Sequence, residues 1–173
     1  MAKSARIDPP VEEIVPVLSP EERLVAANDI VRKNVYCTAG VGCVPIPLVD
    51  LVGIGGFQAL MIKQLSHLYG VKFNDHVARN LVTALLGTLS ARVLITGAVG
   101  SIFKIIPGIG AFIGGLIAVP AIAGAVTYAI GRVFIKHFEE GGTLLDLNVD
   151  RTKAFFQSQY IVGRKVVTVP AGA

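Results

Sequence analysis

Between Val93 and Gly131 the chain carries a single charge, Lys104. A helix of a water-soluble domain keeps one face polar, so a run this long leaves few folds open. A helix crossing a hydrocarbon core roughly 30 Å thick needs about 20 apolar residues. Ile105 to Gly131 meets that requirement, and Leu81 to Phe103 meets it except at Arg92. The expectation is an all-α protein of membrane-associated helical hairpins, with an amphipathic N-terminal helix and a short C-terminal tail.

Composition agrees. Hydrophobic residues make up 53% of the 173 and charged ones 16%, against about 25% charged in ordinary soluble chains. The net charge of +4 suits an anionic lipid surface and falls short of the clustered basic footprint that nucleic acid requires. Nineteen glycines follow no collagen-like period, so they call for a packing explanation. Cys37 and Cys43 lie in an apolar stretch with no Cys/His partner pair at zinc spacing, which reads as two buried free thiols. The polar, proline-punctuated start lacks the apolar core of a secretory signal. Myristoylation and prenylation signals are absent.

Along the chain, Met1–Leu18 reads as an extended arm. Ser19-Pro20-Glu21-Glu22 is a helix start, with serine as cap, proline in the first turn and Glu22 closing a capping box. Leu24, Ala27, Ile30, Val31 and Val35 follow at helical spacing. Tyr36–Ile62 is apolar but interrupted by Val44-Pro45-Ile46-Pro47, where two prolines break a straight helix. A returning helix is expected over Leu48–Tyr69, with Asp50 in its first turn and Gly70 as its stop. Asn74 or Asp75 caps the next helix, from about His76 to Phe103. Pro107-Gly108-Ile109-Gly110 is a further breaker, and a last apolar helix runs to about Phe138. In the tail, Phe155, Phe156 and Tyr160 predict a short amphipathic helix, and Lys165–Val169 alternates weakly like a strand. The parts are thus a polar arm and helix over 1–34, a glycine-rich hydrophobic module over 35–138 and a tail over 139–173.

Basic residues fall in the arm, in the link around Lys72 and Arg79, and in the tail; wedges in one leaflet or a wholly soluble helical bundle are the alternatives to a topology that sets all three on the cytoplasmic side. Tyr36–Ile62 and Leu81–Gly131 then form two hairpins, and Lys104 alone reaches the far side, where it can snorkel. Gly110 and Gly114 form a GxxxG pair suited to close helix contact, within the chain or between copies. Asp50 and Arg92 are the clear intramembrane charges, and pairing them offsets a cost of several kcal/mol. Gln58, His67 and His76 read as helix-face or interface residues rather than ligands.

Enzyme motifs are scarce. Gly53-Ile54-Gly55-Gly56 and Gly108-Ile109-Gly110 do not complete a dinucleotide fingerprint, and no phosphate loop, nucleophile elbow, zinc motif or paired-carboxylate cluster exists. No catalytic, cofactor-binding or metal-ligating set is therefore expected.

Val44-Pro45-Ile46-Pro47-Leu48-Val49-Asp50, followed by Gln58, Met61 and Leu68-Tyr69-Gly70, resembles the YcjF-like, GTPase-associated bacterial membrane family of unknown function (domain of unknown function 697). Gly87, Ala91-Arg92, Lys104-Ile105-Ile106-Pro107-Gly108-Ile109-Gly110, Gly114-Gly115 and Thr127-Tyr128-Ala129-Ile130-Gly131 continue the likeness, which covers roughly Val35–Phe138. The resemblance implies an α-helical anchor in the bacterial inner membrane, often fused behind a GTPase domain. No nucleotide-binding domain precedes the module in this sequence. Pro45, Pro47, Asp50, Gln58, Arg92, Lys104, Pro107, Gly108, Gly110 and Gly114 are the expected structural or assembly determinants.

The first functional reading is a non-enzymatic membrane protein whose hairpins self-assemble into a homo-oligomer that anchors or shapes membrane. The alternatives are an accessory subunit recruiting a separate GTPase, and a small channel or transporter built around Asp50 and Arg92.

Overall fold

The computed structural model describes residues 18–41, 49–89 and 109–168, and the side chains of all of these except 39–41, 49–55, 109–120 and 168. The described residues form five helices and no strand: α1 (Pro20–Val41), α2 (Val49–Leu68), α3 (Asp75–Gly87), α4 (Ile109–Glu139) and α5 (Val149–Thr168).

Local chemistry sets most helix ends. The capping box at α1 forms: Glu22 N–H donates to Ser19 Oγ at 3.2 Å, and Ser19 N–H donates to Glu22 Oε2 at 2.9 Å. The Ser19 amide, then the Ser19 hydroxyl, hold the Glu22 carboxyl below its ordinary pKa. α2 and α4 end alike, on left-handed glycines. Gly70 has φ 66° and Gly141 φ 82°, a region where a Cβ is strained. At each, the glycine N–H and the next residue's N–H return to carbonyls of the last turn, satisfying groups that a helix end otherwise leaves open. Asn74 caps α3, its Oδ1 accepting from Val77 N–H at 3.1 Å.

α3 stops earlier than its apolar pattern predicts. The expected helix to Phe103 breaks at Thr88, whose N–H and hydroxyl both turn back to Leu85 O. The Thr88 carbonyl, which a continuing helix would offer to its own next turn, instead accepts from Gln157 Nε2 at 2.9 Å. The Leu81–Phe103 stretch is thus not one unbroken helix. The expected strand at Lys165–Val169 is corrected too, since α5 is helical to Thr168. Its Phe156 and Tyr160 are fully buried, and that packing overrides the β preference of Val166 and Val167.

α4 is the central helix, touching all four others. Ala125, Ala129, Ile130, Val133, Phe134 and Phe138 fill the core with Ala27, Val31 and Val35 of α1, Met61, Ile62 and Leu65 of α2, and Ala78, Val82 and Leu85 of α3. Two glycines bring backbones close. A Cβ on Gly131 would lie 2.4 Å from Val31 Cγ2, and one on Gly163 would lie 2.9 Å from Ala125 O. The backbone of α4 at Ala125 thus lies close against α5.

Cross-contacts give the helix directions. Arg23 near the start of α1 stacks over Tyr69 just past the end of α2, 5.2 Å from the ring centroid. Tyr69 meets Phe138 at the end of α4, with centroids 5.7 Å apart. α1 therefore runs antiparallel to α2 and α4, and α2 runs parallel to α4. α5 is antiparallel to α4, since Phe155 lies under Lys136 and Gly163 faces Ala125.

Candidate functional site

These directions polarise the bundle. One end gathers the start of α1, the ends of α2 and α4, and the starts of α3 and α5. It is built from charges. Tyr69 OH donates to Glu139 Oε1 at 2.5 Å. Burial first, and then that hydrogen bond, push the Tyr69 phenol well above its usual range, so it stays a donor. Arg132 Nη1 donates to Asn28 Oδ1 at 2.7 Å, tying α4 to α1. Beyond the Lys136–Glu140 ion pair, His137 Nε2 lies 2.8 Å from Thr143 O and 2.9 Å from Asp146 Oδ1. Both partners accept, so Nε2 carries the proton. The Thr143 amide, at 2.7 Å, and then His137 hold the Asp146 carboxyl below its ordinary pKa.

A cleft of about 290 Å³ opens here, lined by Lys136, His137, Glu140, Asp146, Arg151 and Phe155 among others. Its carboxylates are engaged by Lys136 and His137, leaving no nucleophile beside a free base. Among the described residues no three His, Cys, Asp or Glu side chains converge as a metal site.

The opposite end is where α1 and α5 finish and α2 and α4 begin, and α3 points toward it. The chain between and around these ends, residues 39–55 and 90–120, contains as charges Asp50, Arg92 and Lys104 alone. Pro45, Pro47, Arg92, Lys104, Pro107 and Gly108 lie outside the described residues. Asp50, Gly110 and Gly114 are placed by backbone in α2 and α4, and their side chains are not described. The expected Asp50–Arg92 pairing thus lies outside the described residues. Among the described residues no helix is long and apolar enough to cross a membrane. In α4 the described side chains turn charged at Arg132.

Gln58 is the member of the expected set that the structure describes in full. It is completely buried in α2, with neither Nε2 nor Oε1 hydrogen-bonded. Thr127 of α4, equally buried and unpartnered, precedes Phe138 by the same number of residues as Gln58 precedes Tyr69. The parallel course of α2 and α4 thus sets the two at one height. His67 and His76 are exposed. Cys37 corrects its expectation: it is a free, exposed thiol, because Asn34, Val35 and Thr38 take the inner face of α1.

A profile described as a domain of unknown function, DUF697, matches residues 12–162. The chain belongs to the DUF697 family. The match reaches through most of α5, in keeping with the packing of that helix into the common core. Magnetosome membrane protein 22 of Magnetospirillum gryphiswaldense is 34% identical over 142 residues, covering 82% of this DUF697 chain and 72% of that protein. No solved structure matches.

Three features of the site escaped sequence reasoning: the Arg23–Tyr69–Glu139 cluster, the Asn28–Arg132 clamp and the His137–Asp146 turn. The first two join residues by tertiary contact, and the third closes a local turn. The one local signal was the polar Glu139-Glu140-Gly141-Gly142 run closing an apolar helix.

Proposed function

We propose that this chain is a non-enzymatic bacterial membrane protein whose helical bundle sets its apolar end in a lipid leaflet and keeps its charged end in water. The observation that carries this reading is the polarity of the bundle. The nearly charge-free lengths of sequence meet the described helices at one end, while the capping box, the Lys136–Glu140 ion pair and the Asn28–Arg132 clamp sit toward the other. The relative from Magnetospirillum, named as a membrane protein, supports it, as does the net charge of +4 facing anionic lipid. In this reading the bacterial inner membrane is the site of residence, with the charged end cytoplasmic, and the glycine-rich segments, Gly110 and Gly114 included, pair copies into a homo-oligomer that anchors or shapes membrane.

Flotation of the purified protein with phosphatidylcholine–phosphatidylglycerol vesicles, followed by imaging of the vesicles, tests it. Co-flotation with vesicle tubulation or budding is the expected result. Protein that stays monomeric without detergent and remains at the bottom of the gradient overturns it. An accessory role toward a separate GTPase rests on the family resemblance, and co-purification of a nucleotide-binding protein in place of a uniform homo-oligomer would favour it.

A further inference from the structure

Where the charges stop along each helix carries a more specific reading. Toward the apolar end, the last charged residue is Lys33 on α1, Arg79 on α3, Arg132 on α4 and Lys165 on α5. On α2 it is Lys63 among the described side chains, with Asp50 further on. All five of these are basic. Lys33 and Lys63 stand at one height, because their neighbours Asn34 and Gln64 are hydrogen-bonded at 3.0 Å across α1 and α2. Both are exposed, and neither has an ion-pair partner among the described residues, whereas Arg32 and Arg79 pair with Asp29 and Asp75.

About one turn further toward the apolar end, large apolar side chains face outward. Tyr36, one turn beyond Lys33, is 57% exposed, and Leu60, one turn beyond Lys63, is 47% exposed; on α5 the exposed Ile161 and Val166 flank Arg164 and Lys165. The exposed apolar residues of the charged end, Leu24, Val25 and Leu145, are instead interleaved with Glu21, Glu22 and Asp146. Tyrosine with aliphatic residues, backed by lysines one turn toward water, is the arrangement a headgroup boundary selects.

We propose that Tyr36 and Leu60 form the α1–α2 side of a collar at the headgroup–acyl boundary of an anionic leaflet, with Lys33 and Lys63 on its phosphates. The proposal rests on the membrane reading above and adds a depth: the lipid level falls about halfway along the bundle. Charge complementarity and continuity with the charge-poor chain beyond the collar name the occupant as lipid. Cys37, exposed beside Tyr36, supplies a native probe of that level.

The test uses full-length protein carrying Cys43→Ser, labelled at Cys37 with a polarity-sensitive fluorophore, in vesicles with and without phosphatidylglycerol. The label should shift to the blue on binding and be quenched by lipids carrying a quencher near the headgroup more than by deep-chain quenchers. Lys33→Gln and Lys63→Gln should each weaken binding to phosphatidylglycerol vesicles about fivefold, and Leu60→Asp should weaken it in both vesicle types, with unchanged circular dichroism. If wild type floats but the label stays in water and the lysine variants bind as wild type does, the collar is refuted while the membrane reading stands. If Leu60→Asp splits an oligomer and leaves vesicle binding intact, the face belongs to a second copy and the collar is likewise refuted. Wild type that fails to float refutes both readings.

Discussion

Gly163→Ala and Gly56→Ala make the same chemical change with opposite expected signs. Each replaces a helical glycine by the best helix former, which by itself stabilises by about 1 kcal/mol. At Gly56 the new methyl meets nothing within 4 Å, so the full gain should appear. At Gly163 it arrives 2.9 Å from the Ala125 carbonyl oxygen and 3.0 Å from Tyr128 Cβ and Cδ1. The first neighbour is backbone of the central helix and cannot rotate aside. α5 must therefore lift from α4 by a few tenths of an ångström, loosening the Phe156 and Tyr160 packing. Overpacking of this kind costs about 1–3 kcal/mol, which leaves a net loss of about 1 kcal/mol after the helix gain. Thermal unfolding in one detergent, followed by circular dichroism, should place the variants on either side of wild type, each shifted by about 2–4 °C. Gly163→Ala melting at or above wild type would refute the close α4–α5 approach and the helix directions drawn from it.

Gln58→Met removes a buried amide with no partner while keeping its length, and should raise the unfolding free energy by about 1–3 kcal/mol; a loss in denaturant titration would mean that the amide is bonded. Asn28→Ala strips the acceptor from a half-buried guanidinium and should cost about 1.5–3 kcal/mol in the same titration, with Arg132→Met restoring part of it. Asp146 is held below its ordinary pKa of 3.8, so its contribution is complete above that value and lost as pH falls through the lower folded one. Protection of the Thr143 amide, taken against its intrinsic exchange rate at each pH, should fall on that descent, and Asp146→Asn should remove this pH dependence. Gln157→Leu should release the end of α3, seen as faster exchange at Thr88 and Leu89 with α1 unaffected.

Where a helix end depends on neighbouring residues, the sequence was readable. Ser19 with Glu22, Gly70, Asn74 and the stop after Phe138 all appear in the structure, because each cap is closed within a few residues of itself. The end of α3 is different. Thr88 is held by Gln157, and no window along the chain contains both. The last turn of α5 was misjudged for the same reason: Val166 and Val167 look like strand until Phe156 and Tyr160 find α4, whereas the helix around those aromatics was readable. Cys37 looked buried because its stretch is apolar, yet helical phase turns it outward beside Tyr36. At the candidate site the apolar character of one end was plain from charge counting. The height at which charge gives way to apolar surface was not, since it emerges only when Asn34 and Gln64 bring two distant helices into register.

The capping box gives α1 a further consequence. Whatever stands ahead of Ser19 is joined to an uninterrupted rod that starts among the charges and reaches the opposite face of the bundle at Val41. A torque applied at that junction is delivered across the whole thickness of the protein as a rigid tilt, resisted by the Asn28–Arg132 clamp. A partner pulling on the charged end would thereby have mechanical leverage on the opposite end.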